Sequence, residues 1–288
     1  MPRMNTNPPQ TPSELRAAIL DSYEALSKRL QQIARFALDH PNDMALETIA
    51  VIARRAEVQP SAVIRFAKAF GFSGFSDMQR VYQARLAETA LSYSERIRRL
   101  RAEHTHNGEP TVYGMLQEFC EANTLSLEHL PETVSADKLE AAADVLAHAR
   151  AIHLCGHRRS FPVVAYLAYS LGRIDCYANL LDGVGGMLRQ QAGALTSDDA
   201  LIAVSFHPYA EETTDVVARA RKRRCPTIVI TDSPLSPIAA EANVCFEIHD
   251  AELHTFRSLT ASMCLAQVLC VGVGLRLERD IVDERQDA

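Results

Sequence analysis

The chain has 288 residues, 47% of them hydrophobic and 23% charged, with a formal net charge of −6. That length suits roughly two domains, and the composition is that of an ordinary globular chain rather than a disordered or fibrous one. No transmembrane helix is expected, because no run of about 18 uncharged apolar residues stands out, and the polar, proline-rich start "MPRMNTNPPQTPSE" has no apolar signal-peptide core. The expectation is therefore a cytoplasmic chain with a frayed N-terminal tail and no membrane partner. Charge is uneven: residues 1–106 hold 15 Lys and Arg against 11 Asp and Glu, and the remainder holds 15 against 25. A basic front on an acidic back points to a polyanion partner for the front.

The first 80 residues read as helical. "SELRAAILDSYEALSKRLQQIARFALDHP" carries Leu26, Leu30, Ile33, Phe36 and Ala37 as one helical stripe and stops before Pro41. "LETIAVIARRAE" follows, with Ile49, Ala50, Ile52 and Ala53 facing inward. After a short turn at Val58 and Gln59, "PSAVIRFAKAF" forms the next helix, with Pro60 in its first turn and Gly71 ending it. "GFSGFSDMQRVYQARL" supplies a fourth. Two short helices across a tight turn make a helix-turn-helix, whose second helix presents its first turn to the DNA major groove. Val63, Phe66, Ala67 and Phe70 should pack inward. Gln59, Ser61, Ala62, Arg65 and Lys68, with Arg54 on the preceding helix, are the candidate DNA contacts, since short polar groups, a small apolar group and cations suit base edges and phosphates. A solvated bundle face fits the same pattern. "SERIRRLRAEHTHNGEP" reads as a flexible break and "TVYGMLQEFCEANTLSLEHL" as an interdomain or dimer helix.

After Pro131 strands and helices alternate: "AIHLCG", "DCYANLL", "DALIAVSF", "PTIVITDS" and "VCFEIH" are strands, spaced by "SFPVVAYLAYSLGR", "GGMLRQQAGAL", "AEETTDVVARARKRR" and the short "SPIAAEA". This is a parallel α/β sheet, closed by the buried helix "SLTASMCLAQVLCVGVGLRLE". Ligands of such sheets bind beyond the carboxyl ends of the strands. Four loops lie there: Gly156 to Ser160, the turn at Asp182, the segment Ser205 to Thr213 with His207, Tyr209 and Glu212, and Thr231 to Ser233. In the first, Ser160 is placed to cap a helix, and His157, Arg158 and Arg159 add donors suited to a carboxylate or phosphate. The turn is read as holding a small anion; the alternative is an internal ion pair of these arginines with Asp182, Glu211 or Glu212. Glu211, Glu212, His157 and His207 are acid–base candidates by position only, and no catalytic set is assigned. The seven cysteines, at 120, 155, 176, 225, 245, 264 and 270, form no CxxC pair. They are expected to be reduced, mostly buried thiols, with no metal site and no cofactor.

The two halves together resemble the RpiR-type bacterial transcriptional regulators. The resemblance rests on "VIRFAKAFGFSGF" and its surroundings in the front, and on the strand–Gly–loop–Ser–helix at 152–160, the Ser205 loop and "ITDSPLSPIAAEA" in the back. It implies a multidomain chain: an all-α helix-turn-helix domain over 1–82, a helical linker over 83–130, and an α/β SIS (sugar isomerase) domain over 131–288 with a parallel sheet flanked by helices. It also implies operator DNA and a sugar phosphate as partners, a homodimer or homotetramer, and no enzymatic activity. The family usually has Ser or Thr at the positions of Gln59 and Ala62. SIS loops of the form GxGxS and SxSGxT read here as Gly156-His157-Arg158-Arg159-Ser160 and Ser205-Phe206-His207-Pro208-Tyr209, with Glu212-Thr213 following. A sugar acid or other carboxylate is the rival effector, and a SIS-type sugar-phosphate isomerase with a helical appendage is the rival function.

Overall fold

The structure is a computed structural model that describes residues 8–90, 97, 111–254 and 256–286. It divides into two compact units between residues 109 and 110. Apart from residue 97, the expected break at 94–110 lies outside the described residues.

The first unit is helical: α1 (Pro12–Ser22), α2 (Lys28–Asp39), α3 (Pro41–Leu46), α4 (Ile49–Arg55), α5 (Pro60–Ala69) and α6 (Phe75–Ala90). Thr11 starts α1 with a reciprocal capping box to Glu14, which satisfies two otherwise orphaned N–H groups. The single long helix expected from the first stripe is two helices. Leu26 is extended, and Gln31 Nε2 donates to the Tyr23 carbonyl at 3.0 Å, where the first helical segment ends. No Gly or Pro marks this break, and the apolar stripe resumes in phase beyond it, so periodicity runs straight through. The short α3, absent from the sequence reading, has its terminal carbonyls held by α6. Gln79 Nε2 donates to the Met44 and Glu47 carbonyls at 3.1 and 2.9 Å, and Gln83 Nε2 to that of Ala45 at 3.2 Å. Ile33, Phe36, Met44, Ile52, Val63, Phe66 and Met78 fill the core between these helices. Ala50, expected to face inward, is exposed.

The second unit opens with α7 (Val112–Thr133) and α8 (Ala136–Ala147), then alternates β1 (Ile152–Cys155), α9 (Phe161–Gly172), β2 (Ala178–Leu180), α10 (Leu188–Gly193), β3 (Ala200–Val204), α11 (Glu211–Lys222), β4 (Thr227–Thr231) and β5 (Val244–Glu247). The expected "SPIAAEA" helix is a single 3-10 turn, Ala239–Glu241. An unexpected two-stranded antiparallel ribbon follows, β6 (Glu252–Leu253) and β7 (Phe256–Arg257), before the closing helix α12 (Thr260–Gln286). The main sheet is parallel throughout, in the order β2-β1-β3-β4-β5.

Every residue of β1, β3 and β4 is buried, because helices cover both faces of a parallel sheet. Alternation along the strands divides the core. Ile152, Leu154, Ile202, Val204, Ile228 and Ile230 pack on one side with residues of α8, α9 and α12; Cys155, Leu201, Ala203 and Val229 pack on the other with residues of α10 and α11. Against the sequence expectation, Thr260–Glu278 of α12 is long and apolar enough to cross a bilayer by length and composition, with a mean hydropathy of 1.6. Its Ala261, Leu265, Ala266, Leu269 and Val273 are instead core residues of this unit.

Phe66 is fully buried at the centre of the helical unit. Phe66→Ala should cost about 3–5 kcal/mol. Native-state amide exchange should show the loss of protection in α2, α4 and α5 while the amides of β1, β3 and β4 keep theirs.

Candidate functional site

Two surfaces carry candidate residues, one in each unit. In the first, α4 and α5 are joined through Ala56–Gln59, with Glu57 in the left-handed region at φ 54°. Gly71, at φ 85°, ends the second helix, a conformation that favours glycine. Val63, Phe66, Ala67 and Phe70 are buried as expected. Arg54, Gln59, Ser61, Arg65 and Lys68 are exposed, and the three cations among them make no ion pair among the described residues. Arg55, by contrast, is tied down: it pairs with Asp43 at 2.8 Å and stands 5.6 Å over the Phe36 ring.

Ala62 is the correction on this surface. It is buried, because α5 packs against α2, α4 and α6 together, which widens its inward stripe past the Val63–Phe66 seam. The apolar side chain on the exposed face is Ile64, 40% accessible. The sequence signal was available: a β-branched residue between Val63 and Arg65, outside the core spacing.

The second surface lies where the strand order reverses. Chain connections run outward from β1 to β2 on one side and from β3 to β4 and β5 on the other, so a crevice opens between the exits of β1 and β3, the usual ligand position in such sheets. The structure brings the two loops together there. His157 Nδ1 lies 3.0 Å from Thr213 Oγ1 in the first turn of α11, and 3.9 Å from Cys155 Sγ. Burial holds the His157 imidazole below its ordinary pKa; Arg158 adds to this, and Glu212 and Asp182 oppose it. Burial also pushes the Cys155 thiol up to about 12, so it is no nucleophile at neutral pH.

Gly156 is required by close approach. A Cβ there would meet Val164 Cγ1 at 3.0 Å and the Ser160 carbonyl oxygen at 3.2 Å. Arg158 takes a left-handed φ of 58°, and its guanidinium reaches Glu212 at 3.7 Å. This is the internal pair weighed as the alternative to anion binding. Both side chains are substantially exposed, so the pair contributes little to stability. Ser160 does not cap α9 as expected: it sits at the cap position in a helical conformation, with no side-chain capping bond. It is almost fully buried, and its hydroxyl has no hydrogen bond among the described residues. Ser205 Oγ accepts from the Ala210 amide at 3.3 Å and so fixes the following loop. Asp182 is exposed on the rim and secures its own turn, accepting from the Val184 amide and Gln191 Nε2, both at 3.0 Å.

Arg159 points elsewhere, toward the exits of β4 and β5. Its guanidinium carbon stands 5.0 Å over the Phe206 ring. Burial lowers its pKa, and the like charge of Arg257 lowers it further, against the attraction of Asp232, Asp250 and Glu252. The His207 amide donates to Asp232 Oδ2 at 3.2 Å, Arg257 donates to the His207 carbonyl, and the His207 and Tyr209 rings meet edge to face at 5.4 Å. Asp250, Glu252 and Arg257 were missed by sequence reasoning. They belong to a fifth strand-exit loop, after β5, that sequence inspection of the other four passed over.

Two family models match the chain: a helix-turn-helix domain, rpiR family, over residues 13–89, and a SIS domain over 145–272. The chain is a protein of the RpiR type. Among relatives, the bifunctional protein glk of Burkholderia thailandensis is 27% identical over 262 residues, which are 88% of this chain but 38% of that protein. This RpiR-type chain thus spans well under half the length of those Burkholderia relatives. An uncharacterized HTH-type transcriptional regulator of Haemophilus influenzae is 27% identical over 221 residues, covering 77% of this chain and 75% of its own. Among solved structures, the Vibrio vulnificus NanR protein complexed with ManNAc-6P covers 94% of this chain and 96% of its own, with a TM-score of 0.56 at 20% identity. The sugar isomerase domain of an RpiR transcription factor from Sphaerobacter thermophilus covers 59% of this chain and 97% of its own, with a TM-score of 0.54 at 21% identity. At these identities the likeness is one of fold.

Gly156→Val should crowd α9 and the β1 exit, at a cost of about 1–3 kcal/mol. Thermal unfolding should show a lower transition for the variant, while Gly172→Ala, at a position with open space around its Cα, leaves the transition in place.

Proposed function

We propose that this chain is a DNA-binding transcriptional regulator whose SIS domain senses a small anionic metabolite, a sugar phosphate first, and that it is not an enzyme. The observation that carries this reading is the joining of an rpiR-family helix-turn-helix, with Arg54, Arg65 and Lys68 exposed on it, to a SIS domain. Arg65 and Lys68 on α5, with Arg54 on α4, would neutralise phosphates while Gln59 and Ser61 face base edges. Ile64 would meet thymine methyl groups, the role given to Ala62 from sequence. The NanR complex with ManNAc-6P supports a phosphosugar as effector.

At the crevice, the Ser160 and Ser205 hydroxyls, Thr213 and the amides of the first turn of α11 are the donors offered to a phosphate. Glu211 and Glu212 serve no acid–base role in this reading: both are exposed, and Glu212 faces Arg158. The exposed Val268, Val271 and Leu275 on α12, spaced to share one helix face, favour a homodimer or homotetramer in the cytoplasm.

Binding to a duplex from the chain's own upstream region, followed by fluorescence anisotropy across a salt series, tests this. Wild type should show a steep salt dependence. Arg65→Ala and Lys68→Ala should each weaken binding and reduce the slope by about 1. Variants that bind as wild type does would overturn the assignment of α5 as the reading helix.

A further inference from the structure

We infer that Arg159 and Arg257 form a second anion subsite that takes a planar carboxylate, so that the effector is a sugar phosphate that also carries an acid group. This rests on the reading of the β1–β3 crevice as a phosphate subsite, and it adds the other end of the ligand.

Arg159 comes from the loop after β1, and Arg257 from β7, after the last strand of the sheet. The fold brings these two like charges within each other's field at the strand exits. Arg159 is half-buried over Phe206. Its guanidinium has five N–H donors and no hydrogen bond or ion pair among the described residues. The nearby carboxylates are engaged by other groups. Asp250 accepts from the Ala261 and Ser262 amides, at 2.9 and 3.2 Å, and from the Ser262 hydroxyl, at the start of α12. Asp232 accepts from the His207 amide. Glu252 binds Arg257 Nε at 2.7 Å, and the same arginine donates from Nη1 to the His207 carbonyl. Arg257 is thereby fixed in place with Nη2 left over, beside a guanidinium with no acceptor. A desolvated cation held next to a second cation costs stability unless an anion joins them.

Charge decides which anion. Two arginines face Asp232, Asp250 and Glu252, a local sum of one negative charge before any ligand arrives. A phosphate near its full charge of about −2 would oppose that balance. A carboxylate adds a single charge and presents two coplanar oxygens to the guanidinium fork. Phe206, nearly fully buried, gives the slot a flat apolar floor.

The test is isothermal titration calorimetry of the full chain with aldonic acid 6-phosphates, each set against the matching aldose 6-phosphate. Wild type should bind at least one acid phosphate about tenfold or more tighter than its aldose partner. Arg159→Met should erase that preference and leave the aldose phosphate affinity unchanged, and Arg159→Lys should restore part of it. Without ligand, Arg159→Met should melt no lower than wild type, since it breaks no ion pair. Phosphate binding without any acid preference, a preference that survives Arg159→Met, or an equal loss for both ligand classes overturns the subsite alone. If no member of the panel binds wild type, the phosphosugar reading falls, and the subsite with it.

Discussion

A parallel sheet buried on both faces constrains everything else in the second unit. β1, β3 and β4 have no exposed residue, so the sheet itself offers no surface for a polar ligand. Chemistry is confined to the strand exits, where loops leave the core and helix N-termini leave amides unpaired. The order β2-β1-β3-β4-β5 then selects one exit above the others, since only between β1 and β3 do the connections part. The His157–Thr213 contact spans that gap. It holds the two loops at a fixed separation and sets the width of whatever binds there.

The same constraint explains why the polar residues of this unit gather at one end. Ser160, Ser205, His207, Thr213, Thr231, Ser233 and Ser236 are all buried, and all lie on strand-exit segments or in the turn that follows one. Burying so many hydroxyls is unfavourable unless each finds a partner. Ser205 finds one in the Ala210 amide, and the Ser233 hydroxyl accepts from the Leu235 amide at 3.1 Å. The hydroxyl of Ser160 and the guanidinium of Arg159 do not find one among the described residues. Groups of that kind are retained for a ligand or at a loss of stability.

Much of this was legible in the sequence, for physical reasons that differ between elements. The strands of the main sheet could be read because sheets covered on both faces need short, continuous apolar runs, and "ALIAV" and "TIVIT" are such runs. The recognition helix could be read because Pro60 and Gly71 punctuate it and Val63, Phe66 and Phe70 keep helical spacing. The break at Leu26 could not, because it is made by a tertiary hydrogen bond from Gln31 rather than by a breaker residue. Ala62 was placed on the wrong face because three helices, not one, enclose α5. The Arg158–Glu212 contact was within reach as one of the pairs considered, whereas the convergence of Arg159 with Arg257 was not. It depends on a ribbon of two-residue strands too short to leave a pattern.

A regulator of this kind works only if its ligand distinguishes two states of the DNA-binding assembly, since an effector with equal affinity for both shifts nothing. Linkage makes the coupling mutual. The most direct test is the affinity of the full chain for its operator duplex at fixed salt, measured with and without a saturating phosphosugar that binds the second unit. The account predicts a change of about 5- to 150-fold in either direction, lost when His157 is replaced by Ala. An operator affinity that stays the same while the ligand is demonstrably bound would contradict it.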